Sequence, residues 1–237
     1  MGIYSRDYYR DLTPSPWSFE RTPVVKLVIA INVVIYLALV LYVRPPVVPE
    51  EARHMKDDSD QALTERQLFE LMRTMRPVSV IQEWLELDTN KVVREGQVWR
   101  LITHAFCHDR LSVFHILINM FLLFWFGRTL ELMYGSREFL LFYLTAAVVA
   151  GLAFIALDLY TGSRIPAVGA SGAVMAVMML YTMHFPCETV CVCWFIPLEM
   201  RWLMVLFVIW DLHPILLTLA GDQVFTGVGH AAHLGGL

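Results

Sequence analysis

Charged residues are scarce in this chain. Asp, Glu, Lys and Arg together make up only 17% of its 237 residues, whereas hydrophobic residues make up 57%, more than a soluble domain usually contains. The charges lie between long apolar runs, as a bilayer requires, because an uncompensated charge in hydrocarbon costs about 2.5–3.5 kcal/mol. The composition therefore predicts a multi-pass membrane protein. A net charge of −4 gives no reason to expect nucleic acid as a partner.

Cysteine is also scarce, and the four cysteines exclude a dense disulfide scaffold. Cys187, Cys191 and Cys193 follow His184 closely, so a metal knuckle is one interpretation of this stretch. No C-x-x-C pair is present, and ligands one residue apart are poorly placed for a tetrahedral ion. We therefore favour thiols at a helix end near the membrane surface. The chain has no H-E-x-x-H, which sets aside a metal-dependent intramembrane protease, and shows no secretory signal peptide.

Long apolar runs are what the sequence does contain, and they predict an all-α bundle of six transmembrane helices. We expect the spans at residues 23–43, 113–134, 139–160, 170–185 and 202–219, with a sixth that begins near Val228 and is truncated at Leu237.

A polar N-terminal segment, 1–22, precedes one membrane domain, 23–237. This domain includes a long first loop at 44–111. Within the loop, a capping box at Thr64 and Gln67 predicts an amphipathic helix over 64–75.

Polar residues inside membrane helices are candidates for function, because their burial has to be compensated. Gly169-Ala170-Ser171-Gly172 places a serine at the start of the fourth span, where unpaired backbone N–H groups can stabilise an oxyanion. A helix cap or a small-residue packing motif is the simpler interpretation of this stretch alone.

The last span contains two histidines, His230 and His233, beside a face of small residues formed by Ala232 and Gly236. Gly169 and Ala173 form a matching small face on the fourth span, so the two helices are expected to pack closely. His233 would then accept a proton from Ser171, as a serine nucleophile needs. A histidine hydrogen-bonded between helices, or a metal ligand shared with His230, is the alternative.

His115 and Asn119 lie four residues apart on the second span and therefore share a helix face. Two hydrogen-bond donors that converge on one point suit an oxyanion hole, although interhelical hydrogen bonding would explain the pair alone. His104, His108 and His115 also allow a metal path, as in a metal or small-molecule transporter.

No acidic third member of a catalytic group is evident in the sequence. Asp158 and Asp211 are better explained by positions near a membrane interface. These residues therefore predict a Ser–His dyad.

Five stretches in this order resemble the rhomboid intramembrane serine proteases: GQVWRLITHAFCH (96–108), HILIN (115–119), FGRTLELMYG (126–135), GASG (169–172) and AHLGG (232–236). The resemblance runs from about Val24 to Leu237 and implies a six-helix bundle whose active site opens to water from the outer side. It implies cleavage of membrane-protein substrates within the lipid bilayer, without a cofactor. The plasma or inner membrane is the location we expect.

Residue by residue, the resemblance makes Ser171 the nucleophile and His233, rather than His230, the base. His115, Asn119 and the backbone N–H of Ser171 would form the oxyanion hole. Three further roles are assigned to supporting positions. Gly172, beside the serine, lets a substrate carbonyl or a neighbouring helix approach closely, and Gly169 and Gly236 let the fourth and sixth helices touch. Trp99 and Arg100 resemble the motif that anchors the first loop in the membrane interface. Met175 departs from the family pattern, in which an aromatic residue often stacks on the histidine, and we expect a modest effect. A catalytically silent relative that binds membrane clients is the alternative function.

Overall fold

The computed structural model describes residues 22–43, 79–162, 165–192, 195–221 and 229–237. The described helices and strands are, in chain order, α1 Pro23–Leu41, α2 Val80–Leu85, α3 Thr89–Glu95, α4 Arg100–Thr103, a 3₁₀ turn His104–Phe106, α5 Val113–Tyr134, α6 Ser136–Thr161, α7 Ser171–His184, β1 Thr189–Val192, β2 Ile196–Glu199, α8 Met200–Leu219 and α9 His230–Gly236. The predicted amphipathic helix over 64–75 lies outside the described residues.

Four helices in the described part of the chain, α1, α5, α6 and α8, are long and apolar enough to cross a membrane. α7 is apolar but has only 14 residues, and α9 forms the last described helix. These six helices correspond to the six predicted runs, and α5 has the predicted bounds. The prediction of a helical membrane bundle is confirmed.

α7 lies at the centre of the bundle, packed against α5, α6 and α9. Most of its side chains are buried from Gly172 to Thr182. The outer helices instead expose large apolar side chains, such as Phe114 on α5 and Trp210 on α8. A helix surrounded by other helices needs small residues at its contacts rather than a lipid-facing surface, which explains Gly172, Ala173 and Ala176 in the first half of α7.

α7 and α9 approach so closely that their backbones touch at Gly172 and Gly236. A Cβ on Gly172 would lie 2.8 Å from the carbonyl oxygen of Ala232, and a Cβ on Gly236 would collide with the Gly172 carbonyl. The predicted close packing of these helices is therefore present, but the prediction that Gly169 takes part in it is wrong. Gly169 precedes the helix and contacts His115 instead, with a φ of +136° that side chains rarely adopt.

A buried carboxylate joins the start of α1 to the end of α5. Glu131 accepts hydrogen bonds from the backbone N–H groups of Val24 (2.9 Å) and Val25 (2.8 Å), and from the Ser136 hydroxyl (2.6 Å). These donors satisfy a charge that would be costly if it were buried alone. The contact places the start of α1 and the end of α5 on the same side of the bundle.

The first loop packs against the segment that leads into α7. Leu87 and Ala167 form an isolated antiparallel bridge, with N–H to carbonyl distances of 2.9 and 3.0 Å. Two residues after Ala167, the Gly169 N–H donates to the carbonyl of His104 at 3.1 Å. The backbone just before Ser171 is therefore held by the first loop.

A two-stranded antiparallel hairpin, β1 and β2, connects α7 to α8, with Thr189 opposite Glu199 and Val192 opposite Ile196. Four-residue strands are too short to show a clear alternation of polar and apolar residues, so this hairpin is not among the predicted elements. Cys191 lies in β1 and Cys187 precedes it, both as exposed free thiols; Cys193 lies outside the described residues. Within the described ranges, neither thiol belongs to a group of three side chains placed to hold a metal.

Candidate active site

Ser171 is the first residue of α7, and its hydroxyl faces the last helix. Ser171 Oγ lies 2.8 Å from His233 Nε2, across the α7–α9 contact. The first N–H groups of a helix have no acceptor within the helix, so they are directed at whatever lies beside the serine. The site thus combines a hydroxyl, an imidazole and free backbone donors at one helix start.

The imidazole of His233 is oriented by a carboxylate on its other side. His233 Nδ1 lies 3.0 Å from Asp211 Oδ1 and 3.2 Å from Oδ2, and the His233 side chain is 16% exposed. When Nδ1–H donates to the carboxylate, the lone pair of Nε2 faces the Ser171 hydroxyl. This tautomer is the one that a general base requires.

Asp211 lies in a different environment from the one predicted. It lies in α8 and is 1% exposed, and a second imidazole, that of His230, places Nδ1 at 2.6 Å from the same Oδ1. The interpretation of Asp211 as an interface residue is therefore wrong, because its carboxylate is buried and accepts from two histidines. An acid within an otherwise apolar run was the signal that pointed to this role.

His115 lies beside Gly169 and close to Ser171. A Cβ built on Gly169 would lie 3.0 Å from His115 Nε2 and 3.4 Å from Ser171 Oγ, so both groups border the same piece of backbone. Asn119 is buried one turn further along α5, and its amide nitrogen donates to the carbonyl of His115 at 2.8 Å. One of the two Asn119 amide hydrogens is thus used within its own helix.

His104 and His108 are buried beside the site rather than arranged as ligands. Burial lowers the pKa of His104 to about 4, although its hydrogen bond to the Arg100 carbonyl acts in the opposite direction. Burial, and then the neighbouring His115, lower the pKa of His108 to about 3, and its ring packs edge-on against that of His115 with centroids 5.1 Å apart. Both rings are therefore neutral at physiological pH.

Across the described ranges, the three side chains placed to share a metal are Asp211, His230 and His233. The path suggested by the sequence, through His104, His108 and His115, does not coincide with them.

Trp99 and Arg100 occupy different environments. Trp99 is exposed and stacks on the exposed Trp84, with ring centroids 6.5 Å apart. Arg100 is buried, and its guanidinium donates to the carbonyls of Glu86 (2.6 Å) and Glu83 (2.8 Å). The anchoring of the first loop in the membrane interface by Trp99 and Arg100 stays a prediction; within the loop, the guanidinium is directed inward and holds the loop together.

The rhomboid domain family matches residues 95–237, which is more than half of the chain. The chain belongs to the rhomboid family. This is a protease family, and the chain is an integral multi-pass membrane protein. Ser171, His233, Asp211, His115 and Asn119 all lie within the matched residues.

Three named relatives are similar to this rhomboid protein over part of their length. Rhomboid protease GluP of Bacillus subtilis is 34% identical over 89 residues, which are 38% of this chain and 16% of the relative. RHOMBOID-like protein 12, mitochondrial, of Arabidopsis thaliana is 31% identical over 157 residues, 60% of this chain and 44% of the relative. Presenilin-associated rhomboid-like protein, mitochondrial, of Rattus norvegicus is 30% identical over 86 residues, 36% of this chain and 22% of the relative. The chain thus matches less than half the length of each.

Proposed function

We propose that this rhomboid protein is a serine endopeptidase that cleaves peptide bonds in or near the transmembrane helices of other membrane proteins. One observation carries the proposal: Ser171 Oγ lies 2.8 Å from His233 Nε2 while Asp211 accepts from the other ring nitrogen. Nucleophile, base and orienting acid are the parts of acyl transfer.

In this scheme Ser171 attacks the carbonyl carbon of the substrate, and its proton passes to His233 Nε2. Asp211 keeps the imidazole in the required tautomer and stabilises the imidazolium that forms. His233 then returns the proton to the leaving amine, and water releases the acyl group from Ser171 by the reverse sequence. The proposed Ser–His–Asp arrangement replaces the dyad that the sequence alone predicted.

The negative oxygen of the tetrahedral intermediate would lie at the start of α7. The backbone N–H of Ser171, the ring of His115 and the remaining amide hydrogen of Asn119 are the proposed donors. Donors of this kind each lower a transition state by about 2.7–4 kcal/mol.

Substrates are expected to be helices that unwind easily. An intact helix shields its carbonyls with internal hydrogen bonds, so a segment with Gly or Pro near the cleaved bond should be preferred. The chemistry needs no metal and no organic cofactor. We keep the plasma or inner membrane as the proposed location, although two of the relatives above are named as mitochondrial; fractionation of cells that express a tagged chain would decide between the two.

Cleavage of a tagged single-span substrate with a helix-weakening segment, in liposomes, tests the proposal. Wild type is expected to cleave it, Ser171→Ala is expected to be inactive, and a fluorophosphonate probe should label wild type alone. Ser112→Ala is the matched control, because Ser112 also lies at the start of a membrane helix and its side chain makes no capping hydrogen bond.

Cleavage by Ser171→Ala would contradict the assignment of the nucleophile. Absence of both cleavage and labelling in wild type would favour the alternative, a silent relative that binds membrane clients. Labelling without cleavage would show a working nucleophile and an unsuitable substrate.

A further inference from the structure

The carboxylate of Asp211 has one imidazole more than the proposed reaction needs. His233 contacts both Ser171 and Asp211, and His230 places its own Nδ1 2.6 Å from the same Asp211 Oδ1. The side chains of Asp211 and His230 are 1% and 7% exposed. A second buried histidine at an active-site acid calls for a role beyond orienting the base.

These three side chains have the arrangement of a metal-binding set. One ligand atom from each of Asp211, His230 and His233 lies within 4.8 Å of the other two. The two histidines lie three residues apart on α9, which places both on one helix face, and the acid comes from α8. Two imidazoles and one carboxylate form a set that binds zinc with a fourth position left open to water.

We propose that Asp211, His230 and His233 form a reversible zinc site that switches the protease off. The ion would be bound by Nδ1 of each histidine and by one carboxylate oxygen of Asp211. Imidazole ligands select Zn²⁺ over Mg²⁺ or Ca²⁺, which prefer oxygen. Adjacent ligands of a tetrahedral zinc ion lie about 3.3 Å apart for bonds near 2.0–2.1 Å. The present nitrogen–oxygen distances of 2.6 and 3.0 Å would therefore have to widen by about 0.7 and 0.3 Å, which small side-chain rotations can supply.

Inhibition follows from the position of one proton. A neutral imidazole carries a single N–H, so when zinc takes the Nδ1 lone pair of His233 the proton must sit on Nε2. Nε2 then donates to Ser171 Oγ and has no lone pair to accept the serine proton. Zinc would therefore silence the base without moving the serine, and a chelator would restore activity.

The binding measurement does not depend on catalysis, so it is made on the full chain with Ser171→Ala. After equilibration with zinc sulfate and removal of free ion, we expect about one zinc per chain by elemental analysis, and Co²⁺ should give the visible absorption of a four-coordinate site. His230→Gln in the same background should lose the bound ion. His213→Gln is the matched control, because His213 is an exposed histidine two residues beyond Asp211 on α8, and it should keep the ion.

Retention of zinc by His230→Gln, loss of it only in His213→Gln, or no stoichiometric zinc in any form would each overturn the proposal.

The inhibition itself rests on the proposed function and is measured separately. Zinc should inhibit cleavage by wild type, chelation should reverse this, and the half-inhibitory concentration should rise at least about tenfold in His230→Gln relative to His213→Gln, since losing one of three ligands weakens a metal site strongly. Equal inhibition of both variants would refute the switch. A wild type that never cleaves would count against the proposed function, while the binding result would still decide the site.

Discussion

The two halves of the candidate active site are held in different ways. Ser171 and His233 lie on helices whose backbones touch at Gly172 and Gly236, so the distance between hydroxyl and imidazole is set by main chain. Asp211 lies on α8. Only 11% of the most apolar stretch of α8 is buried inside the protein, compared with 39% of the corresponding stretch of α5. Apart from Asp211, the buried residues of α8 are Met200 and Met204, at its start.

The Ser171–His233 pair is therefore held more rigidly than Asp211. A backbone contact between glycines leaves no rotamer freedom, whereas a helix exposed on most sides is free to shift against its neighbours. Near the middle of α8, Asp211 accepts hydrogen bonds from His230 and His233 and so connects this helix to α9. Pro214, one turn beyond, lacks the N–H that would complete the helix at this level. Asp211 therefore has two roles in this arrangement. It orients the imidazole of His233, and it holds its own helix, α8, against α9.

Asp211→Asn should have the largest effect on kcat, because it removes the negative charge that orients His233. An amide can donate to the imidazole and favour the tautomer with its proton on Nε2. On the proposed function, we therefore expect kcat to fall roughly 10³–10⁴-fold, as when the acid of a Ser–His–Asp triad is neutralised. Fluorophosphonate labelling should slow in parallel. Asp158→Asn, at the other buried aspartate of the described chain, is the control. An unchanged kcat in Asp211→Asn would return the site to a Ser–His dyad.

Gly236→Ala should disrupt the close backbone contact between α7 and α9. The added methyl would meet the Gly172 carbonyl and force α7 and α9 apart. We expect cleavage to fall about 10²-fold, since a displacement near 1 Å is enough for that, and overpacking to cost about 1–3 kcal/mol of stability. Both the cleavage rate and Tm in detergent are measured. Gly229→Ala is the control, because its Cβ would make only an ordinary contact with Ala232 at 3.7 Å; similar losses in both variants would argue against a contact specific to Gly236.

Trp210→Ala should have the smallest effect and sharpens the view of α8. Trp210 precedes Asp211 in the sequence, but its side chain is 71% exposed. Changes at exposed positions are usually within about 0.5 kcal/mol, which corresponds to less than threefold in rate. The measurement is kcat in the same liposome assay. A loss greater than tenfold would show that this side chain, rather than the buried acid, positions α8.

Local pattern was enough to predict the spans, since long apolar runs have few alternatives to membrane helices. It also predicted the meeting of Ser171 and His233, because small residues marked the faces that touch. Asp211 could not be placed in this way: its partners lie on another helix, and an acid within an apolar run is compatible with an interface or a buried site until that neighbour is known. The burial of Arg100 could not be predicted for a similar reason, because two of its acceptors are the backbone carbonyls of Glu83 and Glu86, which give no signal in the pattern of side chains.

The bridge between Leu87 and Ala167 has a consequence for the order of assembly. These residues are far apart in sequence, and the Gly169 N–H bond to His104 likewise spans a large part of the chain. Contacts of high sequence separation form late, because loop closure has to come before they contribute. On the proposed function, a nascent chain that has inserted only its first helices would hold neither the finished backbone before Ser171 nor the base. Cleavage would begin only after α9 has brought His233 to Ser171, so the chain would be inactive during its own synthesis.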